Sequence, residues 1–144
     1  MKPFIFSIAL ILSLNSSCFS QIETQIIGVW ELVEGEFKTQ NSNFKYPEST
    51  AGKHMKIITQ SHFTTVWVDP NHTENKYPGF NGGSYTLKGG IYTEIQHYLN
   101  DPNSLGRKSF YSVTIKGDRL FMTPVTAKGK PKEFGFFEEW KRAE

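Results

Sequence analysis

The chain has 144 residues and a formal net charge of +2, its 16 Lys/Arg and 14 Asp/Glu scattered with no basic stripe, which argues against nucleic acid as a partner. That length suits one domain with a respectable core and is too short for two. Aromatic residues make up 15% of it, an excess that serves a β core first and a ligand second.

The first twenty residues read as an export signal. Lys2 supplies a positive start, and Phe4 to Leu14 form an apolar run too short to span a bilayer. Cys18-Phe19-Ser20 then places small residues where a signal peptidase reads, with Gln21 as the expected first mature residue. Residues 21–144 are therefore expected to form one secreted or periplasmic domain without a membrane span. A competing reading makes Cys18 the lipidated start of an anchored protein, but Asn15 stands where such signals usually carry Leu. Cys18 is the single cysteine, so its removal leaves a mature chain without disulfide or thiolate chemistry.

Eight strands follow. Ile26 to Phe37 is the first, and a long polar connection, Thr39 to Gly52, holds Phe44 and Tyr46-Pro47. Lys53 to Gln60 and His62 to Asp69 are joined almost directly, the mark of a tight turn. The connection Pro70 to Asn81 is long again and contains Tyr77-Pro78-Gly79-Phe80, a turn-rich stretch. Gly82 to Lys88 and Ile91 to Leu99 flank Gly89-Gly90, since glycine accepts the positive φ that two-residue hairpin turns need. After a medium loop, Lys108 to Lys116 turns at Gly117-Asp118 into Arg119 to Thr126, and Ala127 to Pro131 leads into the last strand, Lys132 to Arg142. Period-two patterning is clearest in Phe110 to Lys116, and no segment shows a 3.6-residue apolar period.

Connections that alternate long and tight place all long loops at one rim and all tight turns at the other. The fold class expected is all-β: an eight-stranded antiparallel up-and-down barrel, a cup with a mouth and a floor. Gly28-Val29-Trp30 opens the first strand and Trp140-Lys141-Arg142 closes the last, so both ends meet at the floor. In this the chain resembles the lipocalins, and most nearly their small bacterial secreted relatives. The resemblance implies that Trp30 packs the floor and that Arg142 covers its face, a cation over an aromatic ring contributing ~0.5–1 kcal/mol. Avidin-like and fatty-acid-binding-like barrels share the broader plan.

The sharpest polar-aromatic stripe is Tyr92, Glu94, Gln96 and Tyr98, which a strand places on one face, with Tyr85 on the hairpin partner. Facing inward, it would ring a carboxylate with phenols and raise the pKa of Glu94 by desolvation. The opposite face, Thr93, Ile95, His97 and Leu99, is more apolar, so patterning favours an outward Glu94 while the resemblance argues for an inward one. Phe63, Thr65 and Trp67 share a face of the third strand. Phe44, Tyr46, Tyr77 and Phe80 would stand at the mouth, either as a lid over a bound molecule or as plugs that order their own loops.

Catalytic constellations are weak. His54, His62, His72 and His97 form no His-x-His pair, so no metal site is expected. No Gly-x-Ser-x-Gly elbow is present. A Tyr, Glu and Arg acid-base cluster around Tyr85, Tyr92 and Glu94 is incomplete, because Arg107 and Arg119 fall at a loop and a turn. Asn71-His72-Thr73 matches a glycosylation acceptor, relevant only in a host that modifies secreted proteins. The sequence therefore points to a barrel that binds a small apolar or amphipathic ligand, with Phe63, Trp67, Tyr85, Tyr92, Glu94 and Tyr98 as cavity candidates and no cofactor. The alternatives are a filled barrel that binds protein or glycan through its loops, and a small acid-base enzyme.

Overall fold

The computed structural model describes residues 22–47, 52–67, 79–99 and 102–143. The leader, Cys18, Gln21, Tyr77 and the Asn71-His72-Thr73 acceptor lie outside them. In chain order the strands are β1 (Gly28–Lys38), β2 (Asn43–Tyr46), β3 (His54–Ile58), β4 (His62–Trp67), β5 (Gly79–Lys88), β6 (Ile91–Leu99), β7 (Lys108–Lys116), β8 (Arg119–Pro124) and β9 (Gly135–Arg142). Each of β3 to β8 pairs antiparallel with the next, and β1 joins β3 on one side to β9 on the other, closing an eight-stranded barrel. Among the described residues no helix is long and apolar enough to cross a membrane.

The turn chemistry explains the closed floor. Gly89, Gly90 and Gly117 hold φ of 57°, 77° and 61°, left-handed values that let adjacent strands reverse within two residues. Between β3 and β4 the Thr59 amide donates to the His62 carbonyl at 2.9 Å, closing a turn of the same tightness. At this rim the Arg142 guanidinium lies 4.2 Å from the Trp30 ring centroid, as the resemblance implied, and donates to the carbonyls of Ile27, at 3.0 Å, and Gln25. Trp30 donates its indole N–H to the Ile26 carbonyl at 2.9 Å.

Four boundaries differ from the sequence reading. The first strand begins at Gly28, because residues 22–25 form a helical turn that delivers the fully buried Ile26 into the floor. The connection after β1 contains the short β2, which pairs with the far half of β1 from Gly35 to Lys38. β5 begins at Gly79, since its first three residues pair with Thr65 to Trp67. The final connection is longer than expected, with β8 ending at Pro124 and β9 starting at Gly135.

The core concentrates in the lower half of the barrel, with Tyr46 of β2 joining it from above. Trp30, Leu32, Ile58, Phe63, Tyr92, Leu120 and Trp140 are almost fully buried there. Each such side chain withdrawn from water contributes roughly 1.5–3 kcal/mol, so the floor is where the fold is held. The upper half is lined but not filled.

Candidate functional site

Three inward-facing rows build the site. Period two puts His54, Lys56 and Ile58 of β3 inside and leaves Met55 and Ile57, 37% and 41% exposed, outside. The same rule points Tyr92, Glu94 and Gln96 of β6 inward, and likewise Glu138 and Trp140 of β9. The inward reading of Glu94 therefore holds, against the patterning of β6 alone. The rows converge on Lys56, whose Nζ donates to Glu94 Oε1 at 3.0 Å and to Glu138 Oε2 at 3.2 Å. Trp140 donates its indole N–H to the same Glu138 oxygen at 2.7 Å.

These are deeply buried charges, with Lys56, Glu94 and Glu138 exposed by only 2%, 4% and 8%. Stripping such ions of water costs several kcal/mol each, an amount that close pairing must offset. Lys56 has further compensation, because its ammonium lies 5.1, 5.8 and 5.9 Å from the ring centroids of Trp140, Phe63 and Tyr111. Burial acts to strip Lys56 of its proton, but Glu138 and Glu94 outweigh it and hold its pKa above the ordinary lysine value. Burial pushes the Glu94 carboxyl upward against the pull of Lys56, and the neighbouring Glu138 adds to the rise. Burial likewise lifts the phenols of Tyr92 and Tyr111 well above their ordinary value and lowers the pKa of His54.

Above this charged layer the barrel is hollow. A cavity of about 490 Å³ rises from Lys56, Glu94, Glu138 and Trp140 to the long-loop rim, within the range of small-molecule sites. Phe37, Phe44, Trp67, Leu99 and Phe136 line its upper wall, with Arg107 at the rim. An aromatic line runs along one side, with Tyr46 and His54 centroids 5.1 Å apart and His54 and Trp67 6.0 Å apart. Gly79, opposite Trp67, makes room for this indole, which occupies the space a side chain at Gly79 would take.

The predicted residues divide by height. Trp67 is on the cavity wall and Glu94 at its base, while Phe63 and Tyr92 lie beneath, in the floor core. Tyr85 faces inward lower still; its ring is 4.8 Å from that of Tyr92 and its hydroxyl donates to the Thr59 carbonyl at 2.7 Å. Tyr98 does not share the face of Glu94, which corrects the stripe read from the sequence. Gly82 pairs with Tyr98 but Gly83 with Gln96, so His97 is an extra residue that reverses the alternation. Tyr98 is 45% exposed outside, and Leu99 turns in. Among the loop aromatics, Phe44 lines the cavity, Tyr46 is buried against His54, and Phe80, opposite Val66, belongs to the outer face of β5.

Arg119 pairs with Glu139 at 2.9 Å, Arg107 stands exposed at the rim, and neither forms an ion pair with Glu94. His97 bonds Ser84 at 2.9 Å and His62 bonds Ser61 at 2.8 Å, both in exposed positions. Sequence reasoning missed Lys56 and Glu138. A signal existed: Trp140 at the floor places Glu138, two residues earlier, on the same face, and an inward Trp67 places Lys56 inward through the hairpin register with Thr65.

No family model matches the chain, and no curated protein matches it. The search of solved structures found the crystal structure of a lipocalin-like protein from Bacteroides uniformis ATCC 8492, with a TM-score of 0.53 at 14% identity, over 81% of this chain and 97% of that one. Closed strand order, tight-turn floor, Trp30 under Arg142 and this structural likeness agree: the protein is an eight-stranded antiparallel barrel of lipocalin-like fold.

Proposed function

We propose that the protein is an exported binding protein that holds a small, at least partly apolar molecule in its barrel. The observation that carries this reading is the division of the interior, a packed floor beneath a cavity of about 490 Å³ with an aromatic wall. A filled barrel acting only through its loops would have no use for that space, and the half-buried Trp67 gives a ligand apolar surface to cover. Export rests on the leader pattern before Gln21.

Native mass spectrometry of protein purified gently from the cell envelope and medium tests both parts. A reproducible mass excess that disappears on denaturation is expected, with a denatured mass that begins at Gln21. A bare polypeptide under native conditions would overturn the carrier reading. A retained Met1 would overturn export, whereas a lipid-sized increment on a chain beginning at Cys18 would replace free secretion with an anchored form.

A further inference from the structure

The charges at the base of the cavity do not balance. Lys56 is a satisfied cation, shared by two carboxylates and surrounded by three aromatic faces. Those faces favour the ammonium, and although Trp140 also gives Glu138 its indole N–H at 2.7 Å, a neutral donor does not cancel an anion's charge. Two carboxylates and one ammonium leave a residual negative charge where little water reaches. Two residues nearer the mouth on the face of Glu94, Gln96 is 9% exposed, and its side-chain carbonyl oxygen is buried with no hydrogen-bond partner. This orphan acceptor borders the cavity, as do both carboxylates. An acceptor left unmade in such a place costs about 1–3 kcal/mol, which a ligand donor would relieve. Arg107, the other full cation on the wall, is exposed at the rim, where water and salt screen it.

We propose that the cavity base is a cation-accepting subsite, taking the protonated amine of an amphipathic ligand between Glu94, Glu138 and Gln96 while its apolar body lies against Trp67 and Phe136. This deepens the reading of the barrel as a small-molecule binder and rests on it. The amine N–H groups complete the acceptors that Lys56 leaves unused, and its charge neutralises the residual carboxylate. Glu94 is faced by Lys56 from β3, Glu138 from β9, Tyr111 from β7, Tyr85 from β5 and Tyr92 on its own strand, with His54 and Arg107 higher on the wall. Without a second cation, burial and then Glu138 hold the Glu94 carboxyl above its ordinary value. A bound ammonium beside it pulls the other way, so binding strengthens as pH rises through the titration of Glu94.

Calorimetric titration of the purified protein with octylamine, octanol and octanoate, chains of matched length, tests this. Octylamine is expected to bind tightest, at least about tenfold ahead of octanoate near neutral pH, and to gain affinity as pH rises from the ordinary carboxylate range toward neutrality. Glu94→Gln is expected to bring octylamine affinity down toward that of octanol and to remove its pH dependence. The comparison of the three ligands on the unaltered protein stands even if that variant folds poorly. Octanoate binding as tightly as octylamine, or amine affinity that falls with rising pH, would overturn the cationic subsite alone. Failure of all three ligands to bind would overturn the small-molecule reading beneath it.

Discussion

Removing the ammonium of Lys56 would leave Glu94 and Glu138 together in a space that water barely reaches. A buried pair broken from one side loses far more than a surface pair, because the remaining charge keeps its desolvation cost. Lys56→Met, close in length and without charge, is expected to cost about 3–5 kcal/mol in urea denaturation at neutral pH. Part of that loss should return in acid. In the native protein the Glu94 carboxyl already titrates above its ordinary 4.5, so its contribution is fully present below that value and is lost as pH rises through the raised folded one. Without Lys56 the rise is larger and the acid recovery more pronounced. A loss under about 1 kcal/mol with no recovery in acid would mean that the three groups behave as a solvated surface cluster.

At the scale of the element, β6 shows how one extra residue re-aims a strand. The bulge at His97 keeps Gln96 inside, ejects Tyr98 and returns Leu99 to the cavity. Its partner must be small, since a Cβ on Gly83 would overlap the Ile95 carbonyl oxygen and crowd the His97 backbone nitrogen. Gly83→Ala is therefore expected to lower stability by about 1–3 kcal/mol, read as a reduced thermal midpoint, because the obstacle is backbone and cannot swing away. An unchanged midpoint would show that the bulge relaxes freely. The strand limits of β6 and β7 were legible in the sequence, since glycine turns and period-two runs are local signals. The bulge was not, because its cause is the close approach of two strands rather than any pattern within one.

Over the whole molecule the interior is two zones, a packed floor that supplies stability and an open upper chamber that supplies capacity. Phe63, 1% exposed in the floor, and Trp67, half-buried on the wall, lie on the same face of β4 and test the division. Phe63→Ala is expected to cost about 3–5 kcal/mol, whereas Trp67→Ala should cost roughly 1 kcal/mol or less and show its effect in ligand affinity. Equal large losses in urea denaturation would mean a barrel packed throughout. The sequence by itself determined the eight strands that close the barrel and the alternation of long and tight connections, because turn chemistry and residue alternation act over a few positions; it missed the short β2, and Arg142 over Trp30 was implied by the lipocalin resemblance. Only the tertiary structure decided that Glu94 faces inward, that Lys56 meets partners 38 and 82 residues away, and that the upper barrel stays hollow. Those outcomes depend on register and bulges summed around a closed sheet, and no single stretch of chain carries that sum.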